Sequence, residues 1–170
     1  MGGERRVDRC GSGRTDRPRS VYVDELMIRK ARIQDAGTLA DLAIQMWTDN
    51  DPQALEEAFR KLAVSDEATC FIAYVGDAPI AFAQCQLRRD YVEGTESSPV
   101  GYLEGIFVSD GYRKRGFAAQ LLSECENWAR EKGCTEFASD CELGNTESLA
   151  FHRALGFEEA NRIICFRKDL

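Results

Sequence analysis

The sequence predicts an α/β (α+β) fold, one mixed sheet with helices on both faces. Three observations point there. The chain has 170 residues, which suits one hydrophobic core and would leave two domains each too small. Apolar periodicity alternates between strand-like and helical and gives the order β-α-α-β-β-β-α-β-α-β. Early strands are joined by hairpin turns, whereas late strands alternate with helices.

Met27-Ile28-Arg29 begins the first, short strand. Ala36, Leu39, Ala40, Ala43, Met46 and Trp47 then recur at helical spacing, with Asp35 as N-cap. Asp51-Pro52 reads as a cap plus the first helical residue, and Leu55, Ala58, Phe59 and Leu62 point inward. Residues 69–75 are a β-type run, Gly76-Asp77 a turn, and 79–87 the returning strand. A polar, acidic loop over 90–98 leads to the strand 100–108. The most regular helix spans 117–132, with Phe117, Leu121, Leu122, Cys125, Trp128 and Ala129 on one face and Gly133 as its stop. A strand over 136–140, a helix over 146–155 ended by Gly156, and a last strand over 163–168 complete the expectation.

Residues 1–25 differ from the rest. They carry six Arg against five acidic residues, with Gly2, Gly3, Gly11, Gly13 and Pro18 among them. So little apolar surface cannot offset the entropy of ordering, so a flexible N-terminal extension is expected, with the folded domain over 26–170. The start lacks the apolar core of a signal peptide, and Arg6 breaks the myristoylation pattern that Met1-Gly2 opens. No apolar run approaches the roughly 18–20 residues that span a bilayer. The net charge of −7 argues against nucleic acid, which calls for a basic stripe, and suits a cationic partner. Seven cysteines and a single histidine, His152, show neither a C-x-x-C pair nor a metal-ligand cluster. Reduced core thiols, a cytoplasmic setting and no metal are expected.

The stretch 102–118 carries the chemistry. Leu103-Glu104-Gly105-Ile106-Phe107-Val108 runs as a strand into a short turn, and Arg113, Lys114, Arg115 and Gly116 then open the long helix at Phe117 and Ala118. A helix N-terminus exposes unpaired N–H groups and partial positive charge, and a small residue lets a phosphate approach the backbone. The same residues also read as a solvated basic turn. Neither a P-loop nor a G-x-G-x-x-G fingerprint is present.

Arg113-x-x-Gly116-x-Ala118 matches the R/Q-x-x-G-x-G/A loop of the GNAT N-acetyltransferase superfamily, which the chain resembles over roughly residues 27–168. The resemblance implies a GNAT fold: a mixed, mostly antiparallel central sheet splayed at two parallel strands. It also implies acetyl-CoA as co-substrate, its pyrophosphate held by Arg113, Lys114, Arg115, Gly116, Phe117 and Ala118. Ile106, Phe107 and Val108 would then offer backbone bonds to the pantetheine arm. Glu104 within LEGIFV, Asp90-Tyr91-Val92 before an acidic loop, Ala138-Ser139-Asp140, and Asn145 with His152-x-x-Leu155-Gly156-Phe157 further resemble aminoglycoside 6'-N-acetyltransferases. That group acetylates the 6'-amine of aminoglycosides, and the resemblance implies a homodimer.

Acetyl transfer to an amine that arrives as an ammonium needs a proton acceptor. Glu104 is the candidate general base, its alternative reading being a strand carboxylate paired with a basic residue. Asp140, at the end of the next strand, is expected to orient the acceptor amine, or else to cap a turn. His152 stands in the slot where many superfamily members carry a tyrosine as general acid, and can donate a proton, bond the cofactor or simply pack. Asn145 contacts the cofactor or caps its helix. Trp47, Asp90, Tyr91 and Glu93, with Glu104 and Asp140, are expected to line the acceptor cleft. An acetyltransferase for another amine (a polyamine, small metabolite or protein N-terminus) shares this scaffold, and an acceptor panel separates the two. An acyl-cysteine route has no Cys–His pair to support it.

Overall fold

The computed structural model describes residues 26–170. The expected extension over 1–25 lies outside them. Five strands form one sheet in the order β1-β2-β3-β4-β5. They are β1 (Leu26–Lys30), β2 (Ala68–Val75), β3 (Ala78–Arg88), β4 (Val100–Val108) and β5 (Phe137–Ser139). Four helices accompany them: α1 (Ala36–Ala43), α2 (Pro52–Ala63), α3 (Phe117–Glu131) and α4 (Thr146–Ala154). The first four strands pair antiparallel, and β4 and β5 pair in parallel.

Helices cover both faces of the sheet. On one face α3 buries Leu121, Leu122, Cys125, Trp128 and Ala129 against Ala81, Ala83, Cys85 and Leu103. This is the stripe its 3.6-residue spacing foretells. Phe151 of α4 and Leu155 just after it pack on the same cluster. On the other face α1 and α2 bury Leu39, Leu42, Leu55 and Phe59 around Ile72, Phe82 and Phe107. A side chain such as Leu121, with no exposed surface, contributes about 1.5–3 kcal/mol by burial. Asp51 caps α2 as expected, accepting from the Gln53 amide at 3.3 Å, with Pro52 as the first helical residue. Four of the six described cysteines are buried in the core, while Cys141 and Cys165 are exposed.

Three expectations are corrected. The strand over 163–168 does not form; residues 157–170 hold no regular structure, and Ile163, Ile164 and Phe166 are exposed. A short apolar run makes a strand only beside a partner, and no strand of the described chain lies against this one. Helix α1 ends at Ala43, short of Met46 and Trp47. The chain tightens there into turns, with Met46 N–H bonding the Ala43 carbonyl at 2.9 Å. Asp35 does not cap α1 with its side chain. Its carboxylate accepts both Arg29 guanidinium nitrogens at 2.7 Å and the Arg32 amide at 2.7 Å.

Candidate active site

The site begins where the sheet comes apart. β4 and β5 pair at only three rungs, Gly101 with Phe137, Tyr102 with Ala138 and Leu103 with Ser139. Ser139 braces the last rung, its hydroxyl donating to the Leu103 carbonyl at 3.1 Å. Beyond it, among the described residues, no strand lies on the β5 side of Glu104, Gly105, Ile106, Phe107 and Val108. Buried backbone groups require partners, so this open edge is a set of waiting donors and acceptors.

Glu104 stands at the start of the splay, on a β-bulge. Gln84 of β3 faces Gly105 and Cys85 faces Leu103, so Glu104 is the extra residue between them. A bulge re-aims the side chain it carries. Here it turns Glu104 towards Gln86 and Arg88 of β3. Glu104 Oε1 accepts from Arg88 Nη2 at 2.8 Å, from Arg88 Nε at 3.1 Å and from the Gln86 amide. Sequence reasoning missed Gln86 and Arg88. Their strand alternation with Gln84 was visible, but the bulge that brings Glu104 to them was not.

The next residue, Gly105, is fixed by close approach. A Cβ there would lie 2.8 Å from Trp47 Cζ2 and 3.0 Å from Met46 Cε. Trp47 covers this glycine and meets Phe82 edge-on at 6.1 Å between centroids. It also lines a groove of about 310 Å³ with Asn50, Leu55, Phe59, Leu62 and Gln84. Trp47 therefore works both as core and as wall.

Tyr102 joins the two carboxylates. Its ring carries the Arg88 guanidinium, whose central carbon sits 3.3 Å from the ring centroid. Burial first, and then the Asp140 carboxylate, push the Tyr102 hydroxyl up to about 12. Asp140 itself is exposed, immediately after β5. Asp140 and Glu104 thus flank one buried tyrosine.

His152 of α4 is brought to the same edge. Nε2 lies 2.9 Å from Ser139 Oγ, and Nδ1 lies 2.7 Å from the Ser148 carbonyl. That carbonyl can only accept, so Nδ1 carries a proton. Phe151 and Phe157 hold the ring edge-on at 5.4 and 5.1 Å. Asn145 caps α4, accepting from the Ser148 amide at 2.9 Å.

At the far end of the splay lies the N-terminus of α3. Gly116 holds φ +80°, a left-handed conformation that disfavours any side chain, and a Cβ there would meet nothing within 4 Å. The first helical bond is the Gln120 amide to the Gly116 carbonyl, so the amides of Phe117, Ala118 and Ala119 point into open space. Lys114 and Arg115 are exposed beside them. Arg113 is anchored instead: Nε donates to the Val108 carbonyl at 2.9 Å, and the guanidinium pairs with Asp110 at 3.2 Å. Free amides, an open cradle and two cations fit a diphosphate, and the unpaired strand leading to it fits an amide-bearing arm.

The acidic loop is placed less directly. Tyr91 is exposed and donates to Glu93 at 2.9 Å, while Asn161 donates to the other Glu93 oxygen at 2.9 Å. These two bonds, Asn161 first, hold the Glu93 carboxyl below its usual range. Asp90 is exposed, and among the described residues no hydrogen bond ties Asp90, Tyr91 or Glu93 to Glu104.

Known proteins resemble this chain in sequence and fold. The profile of the acetyltransferase (GNAT) family matches residues 37–157. The chain is 42% identical to the aminoglycoside N(6')-acetyltransferase type 1 of Stenotrophomonas maltophilia, over 84% of this chain and 93% of that protein. It is 41% identical to the enzyme of the same name from Serratia marcescens, over 76% and 89%. Among solved structures, AAC(6')-Iy in complex with the bisubstrate analogue CoA-S-monomethyl-acetylneamine superposes with a TM-score of 0.83. The two are 38% identical, over 86% of this chain and 99% of that one.

Proposed function

The chain belongs to the acetyltransferase (GNAT) family, and from that premise we propose that it acetylates the 6'-amino group of aminoglycosides, with acetyl-CoA as donor. The observation that carries the reading is the position of Glu104. It sits at the first residue of the β4–β5 splay, next in the chain to Gly105, which Trp47 covers.

Acetyl-CoA, when bound, supplies an activated acyl group as a thioester. The chain's own residues do the rest. The amides of Phe117, Ala118 and Ala119, with Gly116, Lys114 and Arg115, hold the diphosphate, and Arg113 shapes the loop through Val108 and Asp110. Backbone groups of Ile106, Phe107 and Val108 hold the pantetheine arm, and an N–H of this open edge polarises the acyl oxygen. Glu104 takes the proton from the acceptor's ammonium, directly or through water. Asp140 and the Tyr102 hydroxyl orient that amine. His152, seated on Ser139, supplies the proton to the departing sulfur, and Asn145 sets the start of α4. Trp47 flanks the acceptor, and Asp90, Tyr91 and Glu93 offer charge and aromatic surface to its distal rings.

Residues 26–170 form the catalytic domain. A cytoplasmic homodimer is the working form: the donor is an intracellular metabolite, and exposed Ile163, Ile164 and Phe166 offer apolar surface to a second copy. Steady-state assay with kanamycin and tobramycin tests the function, with NMR of the product to locate the acetyl group. Acetylation at the 6'-amine is expected; inertness towards both antibiotics contradicts the reading.

A further inference from the structure

The two oxygens of Glu104 are treated differently. Oε1 receives three donors, two from Arg88 and one from Gln86, while Oε2 receives none from the described residues. Arg29 and Arg89 close on both oxygens of their partners, whereas the exposed Arg167 gives two donors to one oxygen of Asp169. Arg29 reaches Asp35 Oδ1 and Oδ2 at 2.7 Å each, and Arg89 reaches Glu67 Oε1 and Oε2 at 3.0 Å each. The two-oxygen fork is the stronger geometry, and Arg88 does not adopt it. Arg88 instead lies on the Tyr102 ring, which fixes its plane and lets it grip one oxygen from the side.

From this geometry we infer that Arg88 is a positioning residue which, with Gln86, clamps Oε1 of Glu104 and leaves Oε2 as the atom that accepts the amine proton. The inference rests on Glu104 being the base. A half-buried carboxylate on a bulge has room to rotate, and three donors on one oxygen hold it in one orientation. Cross-strand register supplies the clamp, since Gln86 faces Tyr102 and Arg88 faces Val100 on the strand that carries Glu104. The acceptor's cation then meets Oε2 without displacing Arg88.

The test is a double-mutant cycle on the full chain, with kcat, both KM values and the melting temperature measured for Arg88→Gln, Glu104→Gln and the pair. Arg88→Gln is expected to lower kcat about ten- to a hundredfold with the KM for acetyl-CoA within twofold, and to add nothing once Glu104 is Gln. Gln86→Leu is expected to lower kcat in the same direction and replaces Arg88→Gln should that variant fail to fold. If Glu104→Gln loses activity while Arg88→Gln keeps its kcat, the clamp is wrong and the base stands. Equal losses from Arg88→Gln in both backgrounds overturn the clamp as well. Full activity in Glu104→Gln overturns base and clamp together.

Discussion

Nε2 of the His152 imidazole lies 2.9 Å from the hydroxyl oxygen of Ser139, and the single proton of that hydroxyl goes to the last paired carbonyl of β4, Leu103, at 3.1 Å. One serine thus ties α4 to the point where β4 and β5 part. If His152 delivers a proton at this edge, His152→Gln lowers kcat by about ten- to a hundredfold with the KM for acetyl-CoA little changed. Ser139→Ala lowers it less, since Ser148 still holds the other ring nitrogen. Steady-state kinetics beside thermal melting checks both. A melting shift with kcat intact marks His152 as packing only.

Gly105→Ala is expected to act on the acceptor side. Its Cβ would enter within 2.8 Å of Trp47 Cζ2, so the indole must move. The overpacking costs about 1–3 kcal/mol. The KM for the aminoglycoside rises, because Trp47 walls the groove, while the KM for acetyl-CoA stays within about twofold. Initial-rate measurements with each substrate varied in turn make the comparison.

Gly116→Val is expected to act on the donor side. The left-handed φ of +80° costs a β-branched residue about 1–2 kcal/mol, and the new side chain stands over the free amides of α3. The KM for acetyl-CoA rises at least about tenfold, and the acceptor KM holds. Calorimetric titration with coenzyme A reads the binding loss without turnover.

Acid stability is set in part by Asp35. Hydrogen bonds from Arg29, the largest cause, outweigh burial and hold its carboxyl below the usual range. The unfolded chain, with the ordinary value, therefore binds more protons than the native chain between the two values. The pair's contribution is complete above the unfolded value near about 4 and is lost as pH falls towards the lower folded one. Asp35→Asn is expected to destabilise the protein by about 1.5–3 kcal/mol at neutral pH and to flatten the acid limb of melting temperature against pH. Calorimetry from neutral to acid pH reads both.

Much of this was legible in the chain. The stripe from Leu121 to Ala129, the strand Val100–Val108 and the Asp51-Pro52 start of α2 are local signals, and the structure follows them. The cradle at Gly116 was legible because a helix N-terminus is also local. What escaped depends on partners far along the chain. Residues 163–168 open with a strand-like apolar run, Ile163 to Phe166, but among the described residues there is no strand for them to join. Asp35 stood where a cap belongs, yet Arg29 and the Arg32 amide claim it. Arg88 reads as one more strand-end cation until the bulge turns Glu104 towards it. The Ser139 hydroxyl is silent in sequence, since only the β4–β5 rung and α4 together give it two partners.

The most direct measurement is the rate of coenzyme A thiol release by Glu104→Gln with kanamycin as acceptor, at saturating acetyl-CoA. Loss of a positioned base lowers kcat/KM by about a hundred- to ten-thousandfold, with coenzyme A still bound as in the wild type. A variant that turns over within twofold of the wild type would show that the proton leaves by another route, and Glu104 would be an ion pair of the sheet and nothing more.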